Sequence, residues 1–137
     1  MQDSDQQTLC KLGERQMTIR VLAMPADTNP SGDIFGGWLM SQADVGGSII
    51  AVQVSQGRVV TVAVNEFLFI KPVFVGDLVS CYAGAEKIGR TSITVQVDIY
   101  AERSRDPNTK ELVAKATITY VAVDDDRKPR VIGPIEC

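Results

Sequence analysis

One segment of this chain is patterned as a helix, and every other patterned segment reads as a strand. From Gly36 to roughly Ser55, the apolar positions Leu39, Ala43, Gly46, Ile50 and Val54 recur at spacings of three and four. A second apolar set, Trp38, Val45, Ile49 and Val52, covers the other faces. A helix that is apolar nearly all round is expected to be buried on most sides. Around it the texture is that of a sheet. Met17 to Ala23 alternates, with Met17, Ile19, Val21 and Ala23 on one face. Arg58 to Ile70 is rich in β-branched residues and Phe, and Lys71-Pro72 ends it. Asp77 to Lys87 follows a Gly turn. Thr91 to Ala101 alternates, and Glu111 to Val123 forms the last strand. Ile88-Gly89-Arg90 is a hairpin signal. The order β-α-β-β-β-β predicts an α+β fold in which an antiparallel sheet curls around one long central helix.

The chain has 137 residues, enough for one domain with a real core. Residues 1–14 read as a flexible N-terminal segment, 15–130 as the domain and 131–137 as a C-terminal tail. The start lacks the basic and apolar regions of a signal peptide. Five polar residues interrupt Gly36 to Val54, which makes it a poor membrane span. A net charge of −3 offers no basic excess for nucleic acid. Cys10, Cys81 and Cys137 are scattered and form no CxxC, so they read as reduced thiols of a cytoplasmic protein, not as a disulfide framework or zinc site. There is no histidine. That excludes Ser-His-Asp and Cys-His machinery and histidine-bound metal, leaving carboxylates, Lys, Tyr or Cys for acid–base work.

Between Asp33 and Arg58 the only charged residue is Asp44, in the middle of the helix expected to be buried. Burying a carboxylate costs several kcal/mol unless it is paired or neutralised. One reading is a structural Asp satisfied by Arg, Lys or a Ser hydroxyl; the other is a functional carboxylate. The same helix carries Gly36, Gly37, Gly46 and Gly47, each unfavourable by roughly 0.5–1 kcal/mol in a helix interior. They fit close packing or the close approach of a ligand.

The run Ala23-Met-Pro-Ala-Asp-Thr-Asn29-Pro-Ser-Gly32-Asp-Ile-Phe-Gly36-Gly37-Trp-Leu-Met-Ser-Gln-Ala-Asp44 closely resembles the YciA-type acyl-CoA thioesterases of the hotdog superfamily. So do Arg58-Val-Val-Thr-Val, Phe69-Ile-Lys-Pro-Val-x-Val-Gly-Asp77, Gly89-Arg-Thr-Ser92 and Tyr120-Val-Ala-Val-Asp124. The resemblance spans about Arg15 to Arg130. It implies the hotdog fold, a homodimer with a continuous sheet, often assembled as a trimer of dimers, and hydrolysis of fatty acyl-CoA to free acid and CoA. It implies no metal or cofactor, coenzyme A being part of the substrate. Asp44 matches the catalytic carboxylate, Asn29 the loop asparagine, and Gly36 and Gly37 the helix start whose amides face the thioester carbonyl. Related enzymes often carry His before that Gly pair. Here the residue is Phe35, so carbonyl polarisation falls to backbone amides or Asn29.

These residues suit the chemistry. First-turn amides lack intrahelical partners and sit at the positive end of the helix dipole, a place for an oxyanion. Asp44 can activate water as general base or attack directly as nucleophile. Ser48, one turn on, is a candidate to hold Asp44 or the water. Asp44 lies about 12 Å along the helix from Gly36, at ~1.5 Å per residue. One carbonyl carbon cannot touch both unless two helices run antiparallel across a two-fold axis. The expectation is an obligate dimer with composite sites. Lys71, Arg90, Thr91 and Ser92 are candidates for the coenzyme A phosphates, together with Arg58 and the tail cations Lys128 and Arg130. A hotdog dehydratase needs a His and is set aside. A non-catalytic acyl-CoA-binding or regulatory module on the same fold is the alternative.

Overall fold

The structure, a computed structural model, describes residues 12–133. Most of the expected flexible segment 1–14 therefore falls outside the described residues, as do Cys10, Cys137 and the end of the tail. Strands β1 (Gln16–Leu22), β2 (Val59–Phe69), β3 (Leu78–Ile88), β4 (Ser92–Glu102) and β5 (Glu111–Ala122) accompany one α-helix, α1 (Gly36–Ser55). The five strands form a single sheet in the order β1-β3-β4-β5-β2, with every pairing antiparallel. The helix packs against all five. The expected α+β arrangement is the one formed, and strand ends differ from expectation by a residue or two.

Alternation in β4 decides which face meets the helix. Ile93, Val95, Val97, Ile99 and Ala101 are buried beneath α1, and the intervening Thr, Gln, Asp and Tyr look outward. On α1 the matching stripe is Leu39, Ala43, Ile50, Ala51 and Val54. Gly46 and Gly47 complete it for a steric reason. A Cβ on Gly46 would lie 2.9 Å from the Thr18 hydroxyl oxygen, and one on Gly47 would lie 2.5 Å from the Tyr120 hydroxyl. These two glycines therefore serve helix–sheet packing, one of the two roles open to them.

Two expectations need correction. The alternation read for Met17 to Ala23 is broken by a bulge between Met17 and Ile19, which leaves Met17 exposed. The helix is not covered on most sides either. Met40, Val45 and Val52 remain exposed, because one sheet covers only one side of a cylinder and nothing else in the described chain reaches the other.

The helix ends with Gln56 in the left-handed conformation, its N–H donating to Val52 O at 2.8 Å. Arg130 closes that end. Two of its guanidinium nitrogens donate to Ser55 O and the third to Val123 O. A cation here offsets the negative end of the dipole. Arg130, expected among the phosphate partners, is thus engaged as a helix cap. Beyond it, the Ile132 N–H donates to Arg90 O, and the Ile132 side chain joins the core.

Cys81 is buried on β3, and burial pushes its thiol up to about 12. An unfolded thiol ionises near ~8.5. The folded value is the higher, so the stability this thiol contributes is complete below about pH 8.5 and is lost as pH rises from there through about 12. Native protein at pH 8.5 is expected to leave Cys81 unlabelled by iodoacetamide, and guanidinium-unfolded protein to label it fully. Peptide mapping by mass spectrometry reads this directly. Rapid native labelling would show that the thiol reaches water.

Candidate active site

Asp44 sits midway along α1, half-buried. No Lys or Arg pairs with it among the described residues. Its partner is a hydroxyl: Thr61 of β2 donates to Asp44 Oδ1 at 2.6 Å. Neither the ion pair nor the Ser hydroxyl considered for a structural Asp is present. Ser48 does not reach the carboxylate, because its hydroxyl donates to Val45 O at 2.6 Å within the helix. The second carboxylate oxygen has no hydrogen-bond partner among the described residues. One oxygen is thus held by Thr61 and the other is left for a ligand or a water.

A second anchor lies beneath. Tyr120, fully buried on β5, donates its hydroxyl to the backbone carbonyl of Asp44 at 2.7 Å. Burial, and after it the Asp44 charge, push the Tyr120 hydroxyl far above its ordinary range. It therefore stays protonated, a fixed donor to the helix backbone. The absence of a Cβ at Gly47 is what lets the ring lie against the helix there.

At the start of α1 the Gly36 and Gly37 N–H groups have no acceptor among the described residues, and the N-cap Phe35 supplies no side-chain bond. A Cβ on Gly37 would meet nothing within 4 Å. Asn29 lies in the preceding loop, which a bridge between Thr28 and Ile34 closes. Its Oδ1 accepts from the Ser31 and Asp33 amides at 2.9 and 3.1 Å. That folds the loop on its own side-chain oxygen and leaves the side-chain NH2 as a free donor.

The remaining candidates divide between the two ends of the molecule. Arg58, Arg90 and Thr91 converge near the end of β5, where their carbonyls accept from Val123, Ile132 and Ala122. Ser92 begins β4 there, paired with Val121. The Arg58 and Arg90 side chains are exposed. Lys128 is exposed in the adjoining turn, which Asp124 organises by accepting from the Asp126 and Lys128 amides. Lys71 follows the far end of β2, roughly 35 Å away at ~3.3 Å per strand residue. Its ammonium lies 3.4 Å from Glu111. Within one chain, Lys71 and the arginines cannot serve the same phosphate.

Thr61 and Tyr120 were not singled out from the sequence, although both stand inside the motif blocks. Only the pairing of β2 with β5, which sets Thr61 opposite Tyr120, shows that they flank one carboxylate.

A sheet curled over one helix, with a lone hydroxyl-bonded carboxylate on that helix, defines a hotdog-type hydrolase in outline. Comparison with known proteins makes the class specific. The family model described as thioesterase superfamily matches residues 31–107, and the chain belongs to that family. It is 47% identical over 125 residues to the acyl-CoA thioester hydrolase YciA of Salmonella typhimurium, covering 90% of this chain and 94% of that one. The hexameric thioesterase y2039 from Yersinia pestis aligns with a TM-score of 0.82 at 50% identity, over 87% of this chain and 96% of its own. The hexameric hotdog fold thioesterase Cj0915 of Campylobacter jejuni aligns with a TM-score of 0.80 at 43% identity, over 88% and 91%. The fold is the hotdog fold.

Proposed function

We propose that this protein is an acyl-CoA thioesterase that hydrolyses fatty acyl-CoA to free fatty acid and CoA. The observation that carries the reading is the Asp44 carboxylate, which no Lys or Arg pairs among the described residues and which Thr61 holds through one oxygen at 2.6 Å. In the general-base route, water gives a proton to Asp44 while its oxygen bonds to the acyl carbon. The C–S bond then breaks, and the proton passes to the departing sulfur. In the nucleophilic route, Asp44 attacks the acyl carbon and expels the CoA thiolate to give a mixed anhydride; water then cleaves the anhydride, releasing the fatty acid and the Asp44 carboxylate, and the proton it gives up neutralises the thiolate. In either route the carbonyl oxygen takes up negative charge, for which the Gly36 and Gly37 amides and the Asn29 NH2 are the available donors. No step calls for a metal. Wild-type protein is expected to release free thiol from a panel of acyl-CoAs, with or without EDTA. Binding without turnover would favour the non-catalytic module, and loss of turnover in EDTA would overturn the metal-free mechanism.

The working unit in this reading is a dimer, assembled into a trimer of dimers as the hexameric relatives suggest. Asp44 and Gly36 lie about 12 Å apart on one helix, and the exposed face with Met40, Val45 and Val52 awaits a second helix. An antiparallel partner helix would bring its own Gly36 and Gly37 to Asp44. Gly37→Val is a suitable block, since its side chain enters open space and spares the fold. Each dimer that pairs an Asp44→Ala chain with a Gly37→Val chain is expected to regain about half of the wild-type activity, because one composite site in two is then intact. If neither parent nor mixture turns over substrate, the composite arrangement is wrong.

The exposed Arg58 and Arg90 side chains, with Thr91 and Ser92 beside them, are the proposed contacts for coenzyme A phosphates. No helix among the described residues is long and apolar enough to cross a membrane. The cytoplasm is the proposed compartment, a reading supported by the substrate class and the free Cys81 thiol.

A further inference from the structure

The first turn of α1 is open at Gly37 but has a side chain packed against it at Gly36. Phe69, the last residue of β2, lies against Gly36, with two of its ring carbons 3.1 Å from where a Gly36 Cβ would stand. Its ring packs against Phe67 at 4.6 Å between centroids, tilted by 39°, and Phe67 is half-buried against the core. Phe69 itself is 55% exposed in the single chain.

We propose that Phe69 is a positioning residue for thioester hydrolysis: its ring braces the first turn of α1 through Gly36 and keeps water from that flank of the Gly36–Gly37 amide pair. The inference rests on the reading of those amides as donors to the developing oxyanion. An N–H donor to an oxyanion is worth most where water does not compete and the donor is already in place. An aromatic ring meets both needs, because it offers no hydrogen bond of its own and it is rigid. The contact also bears on the residue facing it. A Cβ at position 36 would press on the ring, which would have to give by a few tenths of an ångström. A ring acting this way stabilises the transition state more than bound substrate, so its removal lowers kcat more than it raises KM.

The test is a cycle of Phe69→Ala, Gly36→Ala and the double variant. Thiol release is measured over a range of acyl-CoA concentrations, beside circular dichroism and light scattering for fold and assembly. Phe69→Ala is expected to lower kcat by about tenfold to a hundredfold, with KM moving less than about threefold. Gly36→Ala is expected to lose activity alone and to add little loss in the Phe69→Ala background, since the two changes break one contact. Phe69→Leu, which keeps apolar bulk, should fall between wild type and Phe69→Ala. Wild-type kcat in Phe69→Ala, strictly additive losses, or a loss that follows only the breakdown of fold or assembly overturns the proposal. Asp44→Asn run in parallel separates the two readings. An inactive Asp44→Asn beside a fully active Phe69→Ala removes the role of Phe69 alone. A fully active Asp44→Asn overturns the hydrolase assignment and this inference with it.

Discussion

Asp44→Asn is expected to lower kcat for acyl-CoA hydrolysis by roughly a hundredfold to ten-thousandfold, the range spanned by a lost general base. The substitution is nearly isosteric. An amide oxygen can still accept from Thr61, and the Tyr120 hydroxyl still meets the backbone carbonyl at position 44. Fold and assembly should therefore persist, and circular dichroism and light scattering should match wild type. What disappears is the charge, and with it both the ability to take a proton from water and the ability to attack a thioester. Thr61→Val should show the lesser effect, about tenfold, since it removes the bond that fixes the carboxylate but leaves its chemistry. The ordering is the informative part. A Thr61 variant weaker than the Asp44 variant would mean that the hydroxyl acts on the substrate directly.

The largest expected effect on stability lies far from that site. Asp77, just before β3, is fully buried, yet accepts from the Phe74 amide at 3.0 Å and from two Arg103 guanidinium nitrogens at 2.7 and 3.1 Å. The guanidinium also lies 4.8 Å from the Phe74 ring centre. This pair ties the β2–β3 turn to the β4–β5 loop. Removing the carboxylate strips three hydrogen bonds at once and leaves the Phe74 amide without an acceptor. Buried pairs broken this way cost about 3–5 kcal/mol. Arg103 is 44% exposed and can turn to water, so about 3 kcal/mol is the expected loss for Asp77→Ala. Urea unfolding at fixed protein concentration, which holds the assembly equilibrium constant, measures it. A loss below about 1 kcal/mol would show that the pair merely breaks even against solvation. Activity in the folded variant should be near normal, because neither side chain bonds Asp44, Thr61, Asn29 or the Gly36–Gly37 amides.

Much of this molecule is legible in its sequence because the decisive signals are local. Gly36 to Ser55 announces a helix by spacing alone, and the helix formed has those bounds. The inward set of β4 follows from strict alternation, which a strand cannot evade without a bulge. Where β1 does bulge, the same rule misplaces Met17. Asp44 is conspicuous as a charge in an apolar run, and a desolvated carboxylate demands a reason wherever it falls.

Other parts depend on pairing between distant segments, which no local pattern encodes. Thr61 stands 17 residues from Asp44 and Tyr120 stands 76 away. They meet it only because β2 and β5 lie side by side with the helix across them. The Ser48 hydroxyl donates to a carbonyl of its own helix, and tertiary structure sets Arg130 on the helix end through Ser55 O. It also separates Lys71 from the arginines by the length of a strand. The sequence by itself determined the elements, the fold class and the presence of one unexplained carboxylate, because periodicity and charge are properties of neighbours along the chain. Only the tertiary structure decided what holds that carboxylate and which glycines serve packing, because those are properties of neighbours in space.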